Sequence, residues 1–109
     1  MDFNTVPAKQ LGDYIEKYST IIIDLRDEDE YDSGHVPTAV NIPYDKLDEY
    51  KHKLSNFNEI ILYCDRGSSS LLASRKLSKL GYNVVNIYGG FHAYRGDISK
   101  EKNALINLD

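Results

Sequence analysis

The chemistry available to this chain concentrates in one stretch, Ile60-Ile61-Leu62-Tyr63-Cys64-Asp65-Arg66-Gly67-Ser68-Ser69-Ser70-Leu71-Leu72-Ala73. A short apolar run ends on the only cysteine, a polar loop follows, and a helical pattern begins. That order predicts a thiol at the carboxyl end of a buried strand, just ahead of a helix amino terminus. Backbone N–H groups of a tight loop and the positive end of the helix dipole then face the sulfur. Such surroundings favour thiolate over thiol, so Cys64 reads as a nucleophile near neutral pH. A lone cysteine more often serves as a small core hydrophobe. Here the thiol ends the apolar run instead of lying inside it, which favours the nucleophile.

The loop Asp65–Ser69 has the length to curl its amides around one sulfur-sized anion. Gly67 permits positive φ at mid-loop. The small residues Ser68, Ser69 and Ser70 let the backbone approach closely, and their hydroxyls can add hydrogen bonds to a bound anion. Asp65 beside the nucleophile opposes a thiolate and is expected to point outward. Arg66 either attracts an anionic donor or is a solvated arginine.

The elements that must position this loop alternate between strand and helix. Ala8–Tyr18 places Leu11, Tyr14, Ile15 and Tyr18 at helical spacing. Thr20–Leu25 is a β-branched run, Ala39–Ile42 a short strand between prolines, Glu59–Tyr63 the central strand and Asn83–Tyr88 the last one. Arg26–Gly34 is acidic and turn-rich, with room for one helical turn. Tyr44–Leu54 reads as a helix. From Ser69 to Leu80, the residues Leu72, Ala73, Leu77 and Leu80 form one apolar stripe, with Gly81 as a natural stop. Gly89-Gly90 turns, and Phe91–Arg95 can form a short helix. This alternation predicts a mainly parallel α/β sheet covered by helices on both faces, with ligands beyond the carboxyl ends of its strands.

Composition excludes several function classes. A length of 109 residues suits one domain with a single core. The net charge of −4, with both signs interspersed, gives no footprint for nucleic acid or an anionic membrane. No apolar stretch is long enough to span a bilayer, and Met1-Asp2-Phe3-Asn4 carries neither the basic nor the apolar part of a signal peptide. One cysteine cannot close an internal disulfide, so a reducing compartment, the cytoplasm, is the expected location. His35, His52 and His92 have no metal-ligand spacing with Cys64, so no metal site is expected. Gly89-Gly90 belongs to no phosphate-loop motif, and no cofactor is implied.

Three ordered segments carry a family resemblance. Asp24-Leu25-Arg26-Asp27-Glu28-Asp29-Glu30-Tyr31-Asp32-Ser33-Gly34-His35-Val36-Pro37-Thr38-Ala39-Val40-Asn41-Ile42-Pro43, the Cys64–Ser70 loop, and Gly89-Gly90-Phe91-His92-Ala93-Tyr94 together resemble a single-domain rhodanese, one of the thiosulfate sulfurtransferases. The resemblance runs roughly from Pro7 to Arg95. It implies a three-layer α/β fold around a sheet of about five strands. Residues 1–95 form the rhodanese-like domain and 96–109 its C-terminal extension. It also implies a ping-pong reaction: Cys64 takes a sulfane sulfur from thiosulfate or a persulfide donor, and an external nucleophile removes it. Cyanide, a thiol or a protein would serve as that acceptor, with no part for nucleic acid or membrane. Asp65, Arg66, Gly67, Ser68, Ser69 and Ser70 match the active-site loop that holds the donor. Asp24, Arg26, Glu30 and His35 match residues that brace the fold as a hydrogen-bonded cluster. Ser69 stands where many members carry Arg, and Tyr94 where Trp is usual.

Three other readings compete. A cysteine phosphatase needs a larger cradle closed by Arg six residues after the nucleophile, and that position is Ser70. A non-catalytic binding module has no need of the intact cysteine loop. A persulfide carrier serving a protein partner uses the same cysteine and is not separated from an enzyme by sequence.

Overall fold

The computed structural model of the protein describes residues 3–103. Five strands build one sheet: β1 (Asn4–Pro7), β2 (Thr20–Asp24), β3 (Val40–Asn41), β4 (Glu59–Tyr63) and β5 (Val84–Tyr88). They lie in the order β1-β5-β4-β2-β3, and every pairing is parallel. The helices are α1 (Glu28–Ser33), α2 (Leu47–Tyr50), α3 (Ser68–Lys79) and α4 (Gly90–Ala93).

The two-residue period of β2 and β4 divides the core into two layers. Ile21, Ile23, Ile60, Leu62 and Cys64 face one side, where they meet Leu47, Leu54, Ala73 and Leu77. Ile22, Ile61, Tyr63, Val85 and Ile87 face the other and meet Ala8, Leu11 and Tyr31. Both strands are buried on both faces, which explains their unbroken apolar composition. Asp24 and Tyr63 are Cα partners, so β2 and β4 end side by side at the edge where Cys64 follows.

Four departures from the sequence reading have physical causes. The first strand, Asn4–Pro7, carries no legible alternation and forms because β5 offers an unpaired edge. Its proline is tolerated on an edge strand. The segment predicted as helix over Ala8–Tyr18 is a 3₁₀ helix over Ala8–Tyr14. Ala8 and Leu11 are buried three residues apart, the spacing of a three-residue turn, whereas Tyr18 is 94% exposed. Glu16 and Ser19 take left-handed conformations, with φ of 61° and 56°, and end any helix there. The helix predicted over Tyr44–Leu54 is three short pieces, with α2 between 3₁₀ turns at Tyr44–Lys46 and Lys51–Leu54. Leu47 and Leu54 are buried from different pieces, so packing against the sheet dictates this backbone.

The fourth departure concerns α3. Leu72 and Leu80 are 50% and 52% exposed. The face on the sheet is Ser70, Ala73, Ser74, Leu77 and Ser78. Small residues there let the helix lie close to β4 and β5. The first part of the C-terminal extension is also placed: Ser99 exchanges both backbone hydrogen bonds with His35, at 2.9 and 2.8 Å. Leu105, Ile106 and Leu108 of the same extension lie outside the described residues. Among the described residues no helix is long and apolar enough to cross a membrane.

The α3 packing is testable by a pair of truncations. Leu77→Ala, at a fully buried site, should cost about 2–5 kcal/mol in urea unfolding. Leu72→Ala should stay within about 0.5 kcal/mol of the parent.

Candidate active site

Cys64 stands one residue past β4, and α3 begins four residues later. Gly67 caps α3 at φ 113°, a conformation that reverses the chain and aims the loop amides inward. Two of them reach the sulfur: Gly67 N–H at 3.0 Å and Ser70 N–H at 3.3 Å from Sγ. The side chain is almost buried, at 4% exposure, yet it lines an open cavity of about 430 Å³. Backbone donors aimed at the sulfur are the arrangement that the strand-loop-helix order leads one to expect.

The turn that follows β5 holds this loop in place. Phe91 N–H donates to the Cys64 carbonyl at 2.8 Å, and His92 N–H to the Asp65 carbonyl at 2.9 Å. The first turn of α4 thus clamps the backbone that carries the thiol. Gly90 makes the approach possible, at φ 58°, because a Cβ there would be driven into the carbonyl oxygens of Cys64 and Asp65. The sequence signal for this clamp is the Gly89-Gly90 pair directly after β5, which reads only as a tight turn without its neighbour in view.

A buried polar network fixes the strand ends. Arg26 meets Asp24 through Nε at 3.1 Å and Nη2 at 2.8 Å, and its own N–H donates to Asp24 Oδ1 at 2.9 Å. Tyr63 donates its hydroxyl to Asp24 Oδ2 at 2.7 Å and accepts the Val36 N–H at 3.1 Å. Burial and the adjacent Asp24 charge push the Tyr63 hydroxyl far above its usual range, so it stays protonated and donates. Burial is the largest influence on the Arg26 charge and opposes it, but the hydrogen bonds to Asp24 together with the nearby charges, Asp24 foremost and Glu30 after it, outweigh burial and raise its pKa. The Arg26 guanidinium lies 4.0 Å from the centroid of the Phe91 ring, which links the network to α4.

Each residue singled out in the sequence has a definite place. Asp65 points outward, 53% exposed, with Oδ2 at 3.6 Å from Nε of the 69% exposed Arg66. Ser68 and Ser69 line the cavity with Asp65 and Arg66. Ser70 serves the sulfur through its N–H, while its hydroxyl faces the carbonyls of Gly67 and Ile87 at 3.2 and 3.4 Å. Asp24 and Arg26 pair as expected, but Glu30 does not join their hydrogen bonds. It closes a reciprocal cap with Asp27 at the start of α1, because the free N–H groups of that turn compete for it. His35 is fully buried and stacks on Tyr31, with ring centroids 3.7 Å apart. Asp27, Glu30, Tyr44 and Asp45 also line the cavity, a placement that the sequence reading did not reach. Among the described residues no group of His, Cys, Asp and Glu is arranged to hold a metal ion.

Comparisons with known proteins bear on the sequence and the fold. A family model described as a Rhodanese-like domain matches residues 7–97. The thiosulfate sulfurtransferase GlpE of Coxiella burnetii is similar at 27% identity over 96 residues, 87% of this chain and 90% of that protein. The putative sulfurtransferase YtwF of Bacillus subtilis is 29% identical over 104 residues, 94% of this chain and 100% of that one. A crystal structure of a rhodanese-like domain protein from Staphylococcus aureus superposes with a TM-score of 0.75 at 25% identity, covering 91% of this chain and 99% of the other.

The clamp at Gly90 is testable. Gly90→Ala should cost roughly 2 kcal/mol or more in thermal unfolding, from the left-handed backbone and the collision with two carbonyls. The variant that still folds should alkylate at Cys64 more slowly than the parent, since the displaced loop no longer directs its amides at the sulfur.

Proposed function

The chain belongs to the rhodanese-like domain family, and from that premise we propose that it moves a sulfane sulfur from thiosulfate or a related persulfide donor to an external nucleophile through a persulfide on Cys64. A general sulfur-transfer role fits the relatives it resembles. The observation that carries the finer reading is the Cys64 sulfur at the cavity, held by the N–H groups of Gly67 and Ser70.

In the first half-reaction the Cys64 thiolate attacks the outer sulfur of the donor. A sulfur–sulfur bond forms to Cys64, the donor's own sulfur–sulfur bond breaks, and its electron pair leaves with sulfite or a thiolate. Attack by a thiolate needs no proton transfer, so no separate general base is required. The loop Asp65–Ser70 then has two tasks, to stabilise charge on the sulfur and to hold the donor in line with it. In the second half-reaction an external nucleophile takes the terminal sulfur and regenerates the thiolate. The acceptor is external because the sequence offers no second cysteine to resolve the persulfide. A thiol that must stay reduced favours a cytoplasmic setting. The phosphatase reading loses support at Ser70, whose buried hydroxyl faces backbone carbonyls where an oxyanion cradle requires a cation.

Reduced protein exposed to sulfane donors, thiosulfate and small persulfides among them, should gain one sulfur atom by intact-mass measurement. Cyanide or a reducing thiol should remove it. Cys64→Ser should lose both steps while melting within a few degrees of the parent. Folded, reduced protein that gains no sulfur from any donor overturns the proposal. A persulfide that forms but discharges only to a protein would make the chain a carrier.

A further inference from the structure

The cavity over Cys64 carries more negative charge than positive. Asp27, Glu30, Asp45 and Asp65 line it, against two cations, Arg26 and Arg66. Both cations are already partnered. Arg26 is buried, bonds to Asp24 through Nε and Nη2, and donates Nη2 to the Gly34 carbonyl at 2.7 Å. Arg66 has its Nε 3.6 Å from Asp65 Oδ2. The caps that engage Asp27 and Glu30 are backbone N–H groups, which leave their charge in place. A surplus of one sign of charge around a cleft biases the approach of charged ligands. The sulfur at its floor adds a further negative charge when it is the attacking thiolate.

We propose, on the reading of Cys64 as the sulfur-accepting thiolate, that Asp27, Glu30 and Asp45 determine donor choice. The site takes its sulfur from a persulfide whose organic group is neutral or cationic, in preference to a compact dianion such as thiosulfate. Cys64–S⁻ attacks the terminal sulfur of R–S–SH. The new bond gives Cys64–S–SH, the proton stays on the transferred sulfur, and the electron pair of the broken bond leaves as R–S⁻. No oxidant or reductant is consumed. A cationic R group is drawn in by the three carboxylates, whereas a dianion meets them before it meets the thiol. Arg66 then screens Asp65 and does not draw in an anionic donor.

The test compares second-order rates of Cys64 persulfidation with the persulfides of cysteamine, 2-mercaptoethanol and 3-mercaptopropionate, and with thiosulfate. Each rate is normalised to the same donor's rate with a small thiol in solution. The cysteamine donor should exceed the mercaptopropionate donor by roughly tenfold at low salt, and the gap should close by about 0.5 M salt. Asp27→Asn/Glu30→Gln/Asp45→Asn should shrink the gap and raise the thiosulfate rate by several-fold. Asp45→Asn alone should move both rates the same way by a smaller factor, and it leaves the α1 cap untouched. A flat or reversed charge series, with the persulfide still forming, overturns this inference and leaves the sulfur-transfer proposal standing. A Cys64 that gains no sulfur from any of the four donors overturns that underlying proposal instead.

Discussion

The carboxylate of Asp24 has no exposure to water, and the carboxyl edge of the sheet is assembled around it. Removing a carboxylate from water costs several kcal/mol unless its lone pairs are met. Here they are met by the Arg26 guanidinium and N–H and by the Tyr63 hydroxyl. Each partner has a second contact. Tyr63 also holds the Val36 N–H, and Arg26 holds the Gly34 carbonyl and lies over Phe91. The last residue before Cys64 is therefore tied to β2, to the turn after α1 and, through Phe91, to α4. Loss of one member of such a buried pair strands the other charge, at a cost of about 3–5 kcal/mol, so the edge depends on all three partners together.

The contacts that fix that edge place the sulfur against two amides. The reach of a backbone N–H is a few tenths of an ångström wide, and Gly67 and Ser70 sit at 3.0 and 3.3 Å from Sγ. Three constraints converge on that geometry. The network fixes Tyr63, the α4 turn holds the carbonyls of Cys64 and Asp65, and the serine-rich face of α3 brings its first turn close to the sheet. Gly90 and the small residues of α3 contribute by what they lack, since larger side chains would hold these backbones apart.

The electrostatics of the site run in two directions at different depths. At the sulfur, backbone dipoles favour negative charge. Around the mouth, carboxylates of α1 and of the turn before α2 oppose its approach. The sulfur thus meets backbone donors without a surplus of cationic side chains around it. The donors at the sulfur and the charges at the entrance belong to different residues.

The placement of Cys64 at a strand end, under a loop that turns its amides toward the sulfur, was legible because an apolar run, a lone cysteine, glycine and serines follow one another in the chain, and local order sets local geometry. The parallel sheet was legible for a similar reason, since β2 and β4 are buried on both faces and read as unbroken apolar runs. The pairing of Asp24 with Arg26 lies within two residues and was legible too. Tertiary structure decided what depends on partners distant in sequence. Asn4–Pro7 becomes a strand only beside β5. Leu72 and Leu80 are left in water because α3 packs through its serines. Glu30 caps its own helix, and Gly90 lies against the carbonyls of Cys64 and Asp65. Asp27, Glu30 and Asp45 line the same cavity as Cys64. Hydrophobic period and turn chemistry are short-range properties written along the chain, whereas close approach and the sum of charges around a cleft exist only once distant segments have packed.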